Sequence, residues 1–579
     1  MAAIDLQEKD LLKKLPSGRH KFSKKSAKEH HNKHRGRKKL EVIVCILLVE
    51  LCERFTFYGI VCNMILFCTV KLGYSNYEAA TINLTFVGVS TLAPVFVGQF
   101  AEFCLGRTKV LYSSAFLHFI GTAMLPVVAF PFEDFYIDTN HIVHSLAKTE
   151  QMMLFYVGLL SACLGIGGIR AILCPLSAYR LKHYNQHELL SFFNWFYWLV
   201  NLNSAVVFVG IAYIQQSIAK NLGFLIPFTS VLMALITIHM VRNNLIVHPK
   251  KGQSLLSTFG VFLSSLKLGC LHYRYITGEL TSWLDWAKEN NGGCYSETHV
   301  ENIKILVKLF PLFVLQLLYR ATVTQIPSGY YIQTLNSNLN LKGFLLPIAA
   351  MNVISIIPLL VIAPLLECIA ACLLSWQKYS LSPTTLIVSG HLCAALSASV
   401  AGFSELHRKC YPTMEQVISG KVLHVSSMPC FHLAPQYMLL GISETLVNPA
   451  CSLLAFRLTP SSIRGISSHF LTLSNGGGCF LGAFIIQVMY LASGGFYFPD
   501  TLAEGKMEVF FFLLGTMMTI NAFIFWSISS RYKNLSQDLD HGVKSSVLAE
   551  KLVQHEHSLM FYDSVGECTY TLSSTEMTL

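Results

Sequence analysis

Apolar runs separated by short polar stretches recur along the whole chain, and about twelve of them are counted. They lie near 42–70, 79–103, 109–130, 151–178, 189–216, 221–241, 305–333, 343–371, 383–404, 431–457, 466–493 and 508–529. Each approaches or exceeds the roughly 20 helical residues that cross about 30 Å of hydrocarbon. None alternates apolar with polar positions, and all are too long to be barrel staves. The pattern therefore predicts an all-α polytopic membrane protein with 12 transmembrane helices.

A hydrophilic stretch at 243–304 divides the runs six and six, the arrangement of the major facilitator superfamily fold with its two pseudo-symmetric six-helix bundles. The expected organisation is a basic cytoplasmic tail at 1–40, a six-helix bundle at 41–242, a cytoplasmic linker at 243–304, a second six-helix bundle at 305–530 and a cytoplasmic tail at 531–579. This division argues against a seven-helix receptor. It also leaves no room for a soluble catalytic domain, so the chain does not read as an enzyme.

Composition agrees with a lipid-solvated chain: 53% of residues are hydrophobic and 13% charged, about half the charged fraction of a soluble domain. Residues 1–40 are hydrophilic and lack the apolar core of a cleavable signal, so the first run is expected to act as its own signal. The Lys and Arg residues of that tail abut the first run and predict a cytoplasmic amino terminus. Twelve spans then return the carboxyl terminus to the same side. Arg107/Lys109, Arg180/Lys182, Lys378 and Arg464 fall inside, and Glu133, Asp134, Asp138, Asp500 and Glu504 outside. The net charge of +10 reads as orientation plus attraction to the anionic inner leaflet of the lipid bilayer, with no nucleic-acid partner.

Ionisable residues within the runs change the picture most, because a charge at mid-bilayer costs about 2.5–3.5 kcal/mol on insertion scales. Glu50, Glu53 and Arg54 are spaced i, i+3, i+4, which places them on one face of the first helix, and that face must look into the bundle. Arg170, Arg320 and Glu444 lie well inside the fourth, seventh and tenth runs. Three acids thus meet three bases. They can form a proton-coupling set, in which a carboxylate takes up and releases a proton as the halves rock, or a permanent neutral network that fixes helix packing.

Other features carry less. Gly165, Gly167 and Gly168 before Arg170 let the fourth helix approach a neighbour closely or bend, and Gly476–Gly478 does the same for the eleventh. His30, His31 and His34 lack zinc-ligand spacing, so no metal is expected, and no other cofactor. Cys410 and Cys430 flank the loop between the ninth and tenth runs; they can pair in an oxidising compartment or remain two loop thiols.

Several motifs together resemble the proton-coupled oligopeptide transporter family, solute carrier family 15 in animals, from about residue 41 to 533. Glu50–Leu51–Cys52–Glu53–Arg54–Phe55, followed by Phe57–Tyr58–Gly59, resembles its E-x-x-E-R-F-x-x-Y-G element. Ala101–Glu102 with Leu105–Gly106–Arg107 is similar to its A-D-x-x-L-G-[RK] turn, with Glu in place of Asp. Gly165-x-Gly167–Gly168–Ile169–Arg170 looks like G-x-G-G-I-K, and Phe192–Phe193 through Asn201 like the fifth-helix F-F-x-x-F-Y block. Ala434–Pro435–Gln436–Tyr437 leading to Gly441 and Glu444 resembles P-Q-Y-x-x-x-G-x-x-E.

The resemblance implies proton-coupled import of di- or tripeptides or histidine by a monomeric carrier. It assigns proton coupling to Glu50, Glu53 and Arg54, and a structural turn to Glu102, Gly106 and Arg107. The expected ligand cavity takes in Tyr58, Arg170, Arg320, Gln325 and Glu444. Departures bear on the cargo: the first-helix Arg of many relatives falls at Val61, the second-helix His at Leu84 and a second tenth-helix Glu at Leu453. Two alternatives stay open, a carrier of another small organic or inorganic anion, and a non-transporting membrane sensor or scaffold. The expected location is the plasma or an endolysosomal membrane.

Overall fold

A computed structural model describes residues 44–129, 148–181, 199–218, 223–241, 255–272, 282–361, 382–460, 463–500, 502 and 504–542. The basic tail, with its histidines, and the acidic residues 133–138 lie outside the described residues. The chain enters as helix α1 over 44–66, which ends in a π turn, Phe67–Lys71. There follow α2 (Asn76–Phe100), α3 (Arg107–Ala129), α4 (Lys148–Leu181), α5 (Leu199–Ile218) and α6 (Leu225–Val241). After the short linker helix α7 (Leu255–His272) come α8 (Glu297–Val323, continued through a π turn to Leu335), α9 (Ile348–Val361), α10 (Pro383–Lys409), α11 (Ala434–Leu458), α12 (Arg464–Ser493) and α13 (Met507–Gly542).

Among the described residues nine helices are long and apolar enough to span a membrane. The charged α1 and the shorter α6 and α9 complete the expected twelve. The only regular strands among the described residues form two antiparallel hairpins, β1–β2 (Asn340–Leu341 with Phe344–Leu345) and β3–β4 (Thr413–Ile418 with Lys421–Ser426). Each is closed by a two-residue turn whose central residues both have positive φ, Lys342–Gly343 and Ser419–Gly420, the geometry that matches the right-handed twist of a hairpin.

The linker differs from its hydrophilic reading. Its segment 255–268 is apolar but too short to span, and it folds back onto the second bundle as α7. Val261 of α7 packs with Leu284 and Ala287 of the following 3-10 turn and with Val300 and Ile303 of α8. A charge cluster clamps the same turn: Lys288 Nζ lies 2.8 Å from Asp285 and 2.6 Å from Glu301, and Lys304 Nζ lies 2.7 Å from Asp285. Burial opposes ionisation of Asp285, but hydrogen bonds from Lys288 and Lys304 outweigh it and hold the carboxyl at about 2. Because this pKa is depressed in the fold, the stabilisation is present above the ordinary carboxylate range and is lost only as pH falls towards 2. Hydrogen exchange corrected for intrinsic rates is expected to show residues 283–295 equally protected at pH 7 and pH 5, and Asp285→Asn to lose that protection at both.

Candidate functional site

Close helix packing brings the intramembrane charges together. A Cβ added at Gly165 or Gly168 would collide with His118 or Ser114 of α3, and one at Gly167 with Ala93 of α2, so α4 lies in near backbone contact with both neighbours. That approach carries Arg170 against α1. Its Nε donates to Glu53 Oε1 at 3.0 Å, its Nη2 lies 2.8 Å from the same oxygen, and its guanidinium stands over the Phe57 ring at 4.7 Å. Arg54 Nε approaches Glu53 Oε2 at 3.8 Å. Glu50 and Glu53 are 6% and 2% exposed, which puts this face of α1 inside the protein and away from lipid.

The second bundle holds its own pair. Arg320 Nη1 of α8 donates to Glu444 Oε1 of α11 at 3.1 Å. Gly478 of α12 is packed so tightly on α8 that a Cβ there would collide with the stem of the Arg320 side chain. Their side chains keep 24% and 27% of their surface exposed, against 2% for Glu53 and 12% for Arg170. The pair in the second bundle is therefore the more open of the two.

Other expected site residues fall as follows. Tyr58 is half-buried, its ring edge-on to Phe57 and Phe208 at 5.4 Å from each. Gln325 is 1% exposed in the kink of α8, where its amide donates to Ala321 O at 3.1 Å and Ser328 Oγ donates to it at 3.4 Å. Its side chain is thus hydrogen-bonded within the kink itself. Gly106 takes φ +82° between a π turn, Ala101–Leu105, and Arg107 at the start of α3. That conformation favours glycine. The Glu102 side chain lies outside what is described. Cys410 is exposed and bonds Leu406 O, while Cys430 is buried, and the two thiols are not paired. Val61 and Leu84 are buried in the apolar core of the protein, and Leu453 is buried as well.

Sequence reasoning missed a further buried pair. Arg408 makes a two-point contact with Glu405, Nη2 to Oε1 at 2.6 Å and Nε to Oε2 at 3.0 Å, and both residues are essentially unexposed. Gln333 donates to Glu405 at 3.0 Å and accepts from Gln436 at 2.8 Å, tying α8, α10 and α11 together. The i, i+3 spacing was visible, but the ninth apolar run ends at 404 and left both residues in a loop. His391, fully buried on α10 between Tyr319 and Phe525, was likewise passed over, although an ionisable side chain in the middle of the ninth apolar run was a signal that could have found it. A separate cavity of about 560 Å³, lined by Tyr490, Phe496, Tyr497, Asp500 and Glu504, shares no residue with either ion pair.

The family model described as the POT family matches residues 108–497. This chain belongs to the POT family. It is similar to human solute carrier family 15 member 5, at 54% identity over 94% of each chain. Among solved POT family structures it aligns with one determined in meso at a TM-score of 0.66 and 17% identity, covering 85% of this chain and 98% of the other. Another, in complex with 5-aminolevulinic acid, aligns at a TM-score of 0.61 and 17% identity, covering 85% and 96%. The fold is thus that of the major facilitator type, and the chain is a multi-pass POT family membrane transporter. Within it α1 and α4 contribute the acid and base of one pair, and α8 and α11 those of the other.

Proposed function

We propose that this POT family member is a proton-coupled symporter of small zwitterionic ligands, di- or tripeptides or histidine-like molecules, working by alternating access. The observation that carries the reading is one ion pair in each bundle, Glu53–Arg170 shielded and Arg320–Glu444 part-open. Burial alone favours a protonated carboxylic acid, whereas a guanidinium in hydrogen-bond reach favours the carboxylate. A movement that parts Arg170 from Glu53 therefore recruits a proton, and the return movement expels it. Arginine stays charged throughout, which leaves the acids as the carriers of the proton.

A zwitterion suits the open pair because it can replace each partner in turn: its ammonium takes Glu444 while its carboxylate takes Arg320 or, after proton uptake by Glu53, Arg170. The related transporter solved with 5-aminolevulinic acid, itself an amine and a carboxylate, is in keeping with this class of cargo. The proposal places a monomer in the plasma or an endolysosomal membrane, with both termini cytoplasmic.

Uptake of labelled dipeptides and histidine into proteoliposomes is expected to rise as the outside is acidified from about pH 7.4 to about 5.5. Glu444→Gln is expected to weaken ligands with a free amino group by roughly tenfold to a hundredfold, the loss of one charge-assisted hydrogen bond, and to leave N-acetylated analogues unchanged. Competition by simple anions but not by dipeptides would replace the zwitterion with an anion as the cargo.

A further inference from the structure

Hydrogen bonds between the two bundles gather at the end of the molecule remote from the start of α1, and two residues, Asn76 and Gln216, collect three each. Gln215 and Gln216 lie side by side in the π turn Ile214–Ile218 at the end of α5, and both are buried. A π turn adds one residue to a helical turn, so neighbouring side chains can be sent to opposite partners. Gln215 turns inward to its own bundle, where its amide donates to Gly59 O at 3.1 Å and Gly223 O at 3.0 Å. Gln216 turns outward to the second bundle. Its Nε2 donates to Leu346 O at 3.2 Å, its Oε1 accepts from Ile348 N–H at 3.0 Å, and its carbonyl accepts from Ser419 Oγ at 3.0 Å.

The surface that receives Gln216 is a stitched platform. The β3–β4 hairpin is bound to segment 336–339 by Ser426 N–H to Asn336 O, Asn338 N–H to Met428 O and Leu339 N–H to Gln416 Oε1, at 2.9–3.0 Å. The Ser419–Gly420 turn then projects the Ser419 hydroxyl over the end of α5, and Phe344 of the β1–β2 hairpin stacks on Tyr213 at 5.0 Å. The two backbone groups that take the Gln216 side chain, Leu346 O and Ile348 N–H, follow β2, and Leu346 N–H donates to Leu339 O at 2.9 Å, which ties them to that platform.

We infer that Gln216 is a latch: the two hairpins of the second bundle form a strap that helps to hold the far end of the transporter shut through the side chain and carbonyl of this residue, and it must release at each opening of that end. Asn76, which donates to Asp500 Oδ1 and to Pro499 O, and the Tyr77–Tyr490 stack close the same end at a second point. Releasing Gln216 alone therefore shifts the balance between closed and open forms without abolishing closure.

The test measures distance, so its failure is separable from failure of the zwitterion reading. Spin labels are placed as noncanonical residues at the exposed positions Lys71 and Lys421, one on each bundle at this end, and the full-length protein is measured in nanodiscs by pulsed dipolar spectroscopy. The unsubstituted protein is expected to give a dominant short distance. Gln216→Ala is expected to increase the long-distance population roughly tenfold and Ser419→Ala to increase it less, as two bonds are lost in one case and one in the other. Thr516→Ala, on an exposed face of α13, is expected to change nothing. Distance distributions for Gln216→Ala and Ser419→Ala that superimpose on the parent would overturn the latch. Should Gln216→Ala fail to fold, Ser419→Ala decides alone, and an unchanged distribution for it refutes the strap.

Discussion

Glu53→Gln is expected to abolish accumulation driven by an inward proton gradient, at least tenfold below the parent, with ligand exchange at equal pH on both sides much less affected. The substitution keeps the shape of the side chain and can still accept from Arg170 at the geometry now seen, 3.0 Å from Nε. What it removes is the negative charge and the ability to take a proton. Breaking one partner of a buried pair costs about 3–5 kcal/mol, because the survivor is left as an uncompensated charge. Here part of that cost is offset by the Phe57 face beneath the guanidinium and by residual solvent at Arg170. Uptake and exchange measured on the same proteoliposomes separate the two effects. Uptake that stays gradient-driven in the variant would remove Glu53 from proton coupling and return the pair to a packing role.

The second large effect belongs to the pair that does not face the ligand. Glu405→Ala strands Arg408 in a site only 3% exposed, and Arg408→Met strands Glu405 at 0%. Each single substitution is expected to cost about 3–5 kcal/mol of stability, read as a lowered unfolding midpoint in detergent. Replacing both by Met is expected to recover much of the loss, since well-packed apolar residues often match a buried ion pair. Additive losses in the double variant would mean that each residue acts through separate contacts, Gln333 for Glu405 and the Asn336 carbonyl for Arg408. The network also links Gln436 to Ser397 and Tyr330, so α8, α10 and α11 are tied to one another.

The contrast between these pairs shows what could be read in advance. Glu50, Glu53 and Arg54 stood out because charges inside a long apolar run are costly and their spacing puts them on one face. That they face the bundle interior follows from the same cost. Which base meets which acid did not follow: Arg170 lies 117 residues from Glu53 and Arg320 lies 124 from Glu444, and the pairing rests on glycines that let helices touch. Gln325 was expected at the cavity from the family resemblance; a glutamine next to a π turn can also satisfy the helix's own carbonyls, and this one does. Glu405 and Arg408 were overlooked for the opposite reason. They lie past the apolar run, where charge carries no penalty unless a folded loop covers it, and the β3–β4 hairpin and its connections do cover it.

Twelve spans, the division into two halves, the family and the identity of the costly charges were set by the sequence alone, because lipid leaves a chain few choices: apolar runs of sufficient length must be helices, and charges within them must turn inward. The partners of those charges, the docking of the linker helix on the second bundle and the convergence of two hairpins on Gln216 were decided only by the tertiary structure. The charge partners lie more than a hundred residues apart, the linker helix docks through apolar side chains that a hydrophilic average conceals, and the Gln216 contacts use backbone carbonyls and amides, which every residue carries and which no side-chain pattern can mark.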